Sequence, residues 1–105
     1  MSGTPEIDIE RFAAAHPSGT VVDVREDHEH AAGHLSGAVL IPTGQLPARL
    51  QELDQVRPVY VISATGIRSV AMTDLLRAAG FNAWSVTGGT TAWSCSGRAV
   101  EGRLR

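Results

Sequence analysis

Residues 63–69, Ser-Ala-Thr-Gly-Ile-Arg-Ser, combine the residue types that bind a small anion. The β-branched and aromatic residues at 59–62 predict a buried strand just before this segment, and the apolar spacing in 70–76 predicts a helix just after it. A loop between a strand and a helix points successive backbone N–H groups inward, and Gly66 permits the turn. Arg68 adds a cation. The sequence therefore predicts an anion-binding loop formed by Ala64, Thr65, Gly66, Ile67, Arg68 and Ser69.

Ser63 opens this loop and is the candidate nucleophile, with Arg68 as the second candidate catalytic residue. A serine hydroxyl becomes nucleophilic only when a general base accepts its proton. Neither a Gly-x-Ser-x-Gly elbow nor a Ser-x-x-Lys pair surrounds Ser63. A base for serine catalysis would therefore have to come from a distant part of the chain.

The rest of the chain alternates short strands with helices. Strands are predicted near Ile7, at 21–24, at 38–41 and at 83–86, in addition to the strand that precedes the loop. Helices are predicted after Asp8, which can cap one, at 26–32, after the loop and at 90–94, and the leucines at 46, 50 and 53 have helical spacing. This order predicts one doubly wound α/β domain over residues 1–105, with a parallel sheet of about five strands and helices on both faces.

Three segments are expected at the carboxyl edge of this sheet, where ligands bind in such folds. They are residues 23–26, the loop at 63–69 and the pair Gly88-Gly89. Asp23 and Arg25 fall on one face of a strand end, so we expect them to form a charged network that supports the loop. Gly88 and Gly89 are predicted to support it from the other side.

The loop resembles the active-site loop of rhodaneses, Cys-x-x-Gly-x-Arg-Ser, with Ser63 at the position of the cysteine. The resemblance extends across most of the chain. Residues 23–26 (Asp-Val-Arg-Glu), 33–38 (Gly-His-Leu-Ser-Gly-Ala) and 41–42 (Ile-Pro) are similar to family motifs, as are 80–81 (Gly-Phe) and 88–93 (Gly-Gly-Thr-Thr-Ala-Trp). Motifs in this order imply a rhodanese-like fold.

The resemblance implies a mechanism in which a thiolate at position 63 takes sulfur from a donor such as thiosulfate and passes it to a thiol acceptor protein. The loop N–H groups and Arg68 would stabilise the anion. Serine cannot carry sulfur as a persulfide, because that intermediate requires an S–S bond. Four residues separate Ser63 from Arg68, one fewer than in the Cys-x5-Arg loop of phosphatases. By this resemblance, the shorter loop implies sulfur rather than phosphate chemistry.

Three interpretations of the function of the chain stay open. The chain is a rhodanese-type domain that retains its anion-binding loop and is inactive; or an active thiosulfate or persulfide sulfurtransferase represented by a Cys-to-Ser variant; or a regulatory or interaction module that binds an anionic partner. The sequence does not distinguish a natural serine from a substituted one.

The remaining chemistry-bearing residues predict no second site. Cys95, the one cysteine, is expected to be a small buried side chain in the last helix. His28, His30 and His34 include an i, i+4 pair, but Gly33 weakens the helix there and no cysteine completes a tetrahedral set, so we predict no metal. No other cofactor is predicted.

Composition narrows the partners. The net charge is −2 and every cation is an arginine, so we expect no nucleic-acid binding. No stretch approaches the ~18 apolar residues of a membrane span, and residues 1–10 lack a targeting pattern. We therefore predict a cytoplasmic protein whose partners are a small sulfur-containing or other oxyanion and a thiol acceptor protein.

Overall fold

The computed structural model describes residues 3–102, and residues 1–2 and 103–105 lie outside the description. Five parallel strands form one sheet in the order β1-β5-β4-β2-β3. Their bounds are β1 Glu6–Ile7, β2 Thr20–Asp23, β3 Val39–Leu40, β4 Val59–Ile62 and β5 Ala83–Val86. The central position of β4 explains why its four residues are all buried and all apolar.

Four α-helices connect or follow these strands: α1 Ile9–Ala15, α2 Asp27–Ala32, α3 Arg68–Ala78 and α4 Gly89–Cys95. Asp8 caps α1, as predicted, because its Oδ1 accepts the N–H of Arg11 at 2.8 Å. Within residues 3–102, no helix has both the length and the apolar character needed to cross a bilayer.

The two faces of the sheet bury separate apolar layers. Alternate residues of β4 point to opposite faces, so Val59 and Val61 pack in one layer while Tyr60 and Ile62 pack in the other. The first layer includes Leu76 of α3, and the second contains residues of α1 and α4. Helices thus cover both faces, which confirms the doubly wound α/β architecture.

The segment with leucines at 46, 50 and 53 is not an α-helix. It forms two 3₁₀ turns, Leu46–Ala48 and Leu50–Glu52, separated by Arg49 at φ −122° and ψ 20°. The backbone hydrogen bonds there join residues three apart in sequence. For example, the N–H of Leu53 donates to the carbonyl of Leu50 at 3.0 Å. Apolar residues three or four apart suit both helix types, so their spacing predicted the buried side correctly but not the backbone conformation.

The loop after β4 is held against the beginning of α4. The N–H of Thr90 donates to the carbonyl of Ser63 at 2.8 Å, and the N–H of Thr91 donates to that of Ala64 at 2.9 Å. This approach requires glycine at position 89, where φ is +60° and a Cβ would collide with the Ser63 carbonyl oxygen and lie 2.7 Å from that of Ala64. The fold therefore fixes the two loops at the carboxyl edge against each other.

Gly89→Ala is expected to lower the free energy of unfolding by about 3 kcal/mol or more, because it adds both an unfavourable φ and a clash with backbone. Gly97→Ala is the matched control, since Gly97 has φ +86° but no atom within 4 Å of the point that a Cβ would occupy, and should cost only about 1 kcal/mol. Urea denaturation measures both. Equal losses in the two variants would contradict the proposed close contact.

Candidate functional site

Ser63 lies at the floor of the loop that follows β4, and its side chain is fully buried. Its Oγ accepts hydrogen bonds from the N–H of Gly66 at 3.1 Å and from the N–H of Ser69 at 3.3 Å. The loop therefore wraps its backbone donors around the side-chain atom of position 63. An atom there with a negative charge would receive the same two donors, which favour an anion.

Ser63 Oγ is the first of three buried hydroxyls that are hydrogen-bonded in series. Ser63 Oγ donates to Ser69 Oγ at 3.3 Å, and Ser69 Oγ lies 2.8 Å from Ser85 Oγ on β5. In residues 3–102, no histidine or carboxylate is hydrogen-bonded to any of these hydroxyls. The arrangement consequently provides no general base for Ser63.

The loop leads directly into α3, whose N-terminal end faces the site. Ile67 occupies the N-cap position and makes no side-chain capping bond, and the N–H of Ser69, the second residue of α3, is bound instead by Ser63 Oγ. Gly66 has φ +97°, and a Cβ there would lie 3.0 Å from the nitrogen of Gly88. Glycine at 66 thus permits both the turn and the close contact with the neighbouring loop.

Arg68 is the first residue of α3, and its guanidinium forms a bidentate ion pair with Glu29 of α2. Nη1 and Nη2 donate to Oε1 and Oε2, each at 2.8 Å. The hydrogen bonds from Arg68 lower the pKa of Glu29 to about 2, and the pKa of Arg68 is raised in return. Arg68 therefore lies at the loop, but its charge is paired.

Asp23 and Arg25 form a second, buried ion pair at the end of β2. Arg25 Nη2 donates to Asp23 Oδ2 at 2.7 Å and to the carbonyl of Gly33 at 2.8 Å, and Nε donates to Asp23 Oδ1 at 2.9 Å. The pair joins the end of β2 to the end of α2, the helix that carries Glu29. Both arginines beside the loop, Arg25 and Arg68, are thus matched by carboxylates.

Glu29 and Ser85 were not among the residues predicted from the sequence. Ser85 had a signal, because it is the one hydroxyl residue in the apolar strand at 83–86. Glu29 had a local signal, because it is the N3 residue of a capping box with Glu26. Its contact with Arg68 spans 39 residues of sequence, so no local pattern indicated it.

The histidines and the cysteine behave differently from one another. His30 and His34 stack with ring centroids 3.6 Å apart, and burial, with a contribution from His34, lowers the pKa of His30. In the described part of the chain, no three His, Cys, Asp or Glu side chains form a metal-binding group.

The prediction that Cys95 is buried was wrong, since it is exposed near the end of α4. The apolar side of that helix is instead filled by Trp93.

The chain resembles several proteins along most of its length. It is 37% identical over 73 residues to the putative sulfurtransferase YtwF of Bacillus subtilis, covering 70% of this chain and 71% of the relative. It is 31% identical over 83 residues to the thiosulfate sulfurtransferase GlpE of Actinobacillus pleuropneumoniae, covering 78% and 77%.

Solved structures also resemble this chain along most of its length. A rhodanese-related protein from Thermoplasma volcanium matches with a TM-score of 0.89 at 30% identity, covering 92% of this chain and 97% of that one. A rhodanese-like domain protein from Staphylococcus aureus matches with a TM-score of 0.81, also at 30% identity, covering 95% and 99%. The family model for the rhodanese-like domain matches residues 8–95. The chain therefore belongs to the rhodanese-like domain family.

Proposed function

We propose that this protein is a rhodanese-type domain whose loop at 63–69 binds small sulfur-containing or other oxyanions, and that Ser63 prevents it from transferring sulfur. The observation that carries the proposal is the position of Ser63 Oγ, which accepts the N–H groups of both Gly66 and Ser69. The side-chain atom of residue 63 is the atom around which the loop is arranged.

This arrangement suits a thiolate at position 63. An unperturbed thiol has a pKa of about 8.5, and hydrogen bonds from backbone N–H groups at a helix N-terminus lower it, because they stabilise the charged form. The Gly66 and Ser69 donors would act in this way. The names of relatives, sulfurtransferase and thiosulfate sulfurtransferase, favour the same reaction class.

With cysteine at position 63, the reaction would have two displacement steps. The thiolate attacks the sulfane sulfur of thiosulfate, the S–S bond of the donor breaks, and sulfite leaves with the electron pair of that bond. An acceptor thiolate, which we place on a thiol acceptor protein in the cytoplasm, then attacks the outer sulfur of the persulfide and releases the thiolate at position 63. No net oxidant is needed.

Serine stops this sequence at its first step. The Ser63 hydroxyl donates to Ser69, which is itself bonded to Ser85, and neither hydroxyl is a base at neutral pH. The donors of the loop are not lost, because they come from the backbone. We therefore expect the serine form to retain anion binding without turnover.

The protein should show no turnover with thiosulfate and cyanide, whereas Ser63→Cys should gain activity at least about a hundredfold above background, since only the nucleophile is missing. Thiocyanate formation measures this. Because Cys95 is exposed, Cys95→Ala is made in both backgrounds as the control. Turnover by the serine form that survives Cys95→Ala would refute the proposal, and turnover lost with that change would assign the activity to Cys95.

Thiosulfate should shift the backbone amide signals of residues 64–69 in an NMR titration at constant ionic strength, because binding depends on backbone donors. Arg68→Ala should weaken thiosulfate binding by about ten- to a hundredfold, because it removes the cation that offsets the charge of Glu29 beside the loop. Arg49→Ala is the control, since Arg49 forms a comparable surface pair with Glu52. Signals that stay unchanged at tens of millimolar anion would show that the loop is only a structural turn, and equal affinities in Arg68→Ala and wild type would show that Arg68 takes no part in binding.

A further inference from the structure

The positive charge of Arg68 is paired with the negative charge of Glu29 within the protein itself. Both terminal nitrogens of its guanidinium contact Glu29, one to each carboxylate oxygen. The two side chains are 36% and 26% exposed, so the pair lies at the surface of the loop rather than in the core. An anion entering the loop therefore meets a carboxylate as well as the arginine.

Glu29 is held in this position by its own helix. Its Oε1 also accepts the N–H of Glu26 at 2.9 Å, as one half of the capping box that begins α2. With a pKa of about 2, it stays ionised throughout the physiological range. Glu29 is consequently a fixed negative charge beside the loop.

The other charges near the loop do not offset Glu29. Arg25 is bonded to Asp23 through both Nε and Nη2, so this second arginine is matched as well. Glu26, whose charge also acts on Arg68, adds a further carboxylate. The attraction for an anion in the described residues thus comes from backbone N–H groups, which supply only partial charges.

We propose that Glu29 tunes the selectivity of the loop for anion charge: by cancelling the charge of Arg68, it weakens the binding of doubly charged oxyanions such as thiosulfate, sulfate and phosphate more than that of singly charged species such as a persulfide anion. This inference rests on the proposed anion-binding function and deepens it. The physical reason is that repulsion from one carboxylate grows in proportion to the charge of the anion, so the charge of Glu29 costs a dianion about twice the binding free energy that it costs a monoanion.

The size of the effect follows from Coulomb's law. Over about 8 Å and an effective dielectric constant of about 40, removing one negative charge strengthens binding of a monoanion by about fivefold and of a dianion by about 25-fold. The ratio of the two affinities therefore changes by about fivefold. Salt screens this difference, so the ionic strength must be constant and low.

The test compares sulfate with perchlorate, two tetrahedral anions of four oxygens that differ in charge. Glu29→Gln removes the charge and keeps an oxygen that can accept the Glu26 N–H, since glutamine also serves at N3 of a capping box. NMR titrations following residues 64–69 should show that the sulfate-to-perchlorate affinity ratio rises about fivefold over wild type. Arg68→Gln, from the other side of the pair, should lower the ratio by a similar factor.

Glu52→Gln is the matched control, because Glu52 also forms a bidentate pair, with Arg49, on a different segment, and its loss changes net charge equally. The sulfate-to-perchlorate affinity ratio of Glu52→Gln should equal that of wild type.

An unchanged or lowered affinity ratio in Glu29→Gln, with both anions still binding, overturns the inference and leaves the anion-binding proposal intact. If no variant binds either anion, the proposed function fails and the inference fails with it. If Glu29→Gln does not fold, the affinity ratio in Arg68→Gln tests the inference: a lowered ratio supports it, and an unchanged or raised ratio overturns it.

Discussion

The contact between the beginning of α4 and the loop after β4 is the constraint on which the candidate site depends. The N–H groups of Thr90 and Thr91 bind the carbonyls of Ser63 and Ala64, and Gly89 is the residue that lets the two backbones approach. In the same loop, the N–H groups of Gly66 and Ser69 face Ser63 Oγ. The parallel order of β4 and β5 places both loops at the same edge of the sheet.

Both arginines around this loop are paired with carboxylates. Arg25 and Arg68 each contact a carboxylate, one buried and one at the surface. Burial explains the first pair, since an unmatched arginine in the core would be costly. The second has no such need, because Arg68 reaches solvent. Its partner therefore affects what binds nearby more than it affects stability, since exposed pairs typically contribute little to folding.

Most of the fold could be predicted because its signals are local. Short, mainly apolar runs indicated β2, β4 and β5 to within a residue or two, and Asp8 indicated the beginning of α1. The predictions at 46–53 and at Cys95 failed, since spacing does not distinguish 3₁₀ from α conformation, and residue type alone does not decide burial. The Arg68–Glu29 pair was missed because it joins residues that are distant in sequence.

The residue at position 63 separates the architecture of the site from its chemistry. The donors around that position belong to the backbone, so exchanging sulfur for oxygen leaves them in place. The exchange does remove the low pKa and the S–S bond, on which covalent sulfur transfer depends. Fold and motif order therefore identify the family of this chain, whereas the proposed loss of sulfur transfer rests on one side-chain atom. In the proposed function, a single substitution removes turnover while the loop continues to favour a negative charge.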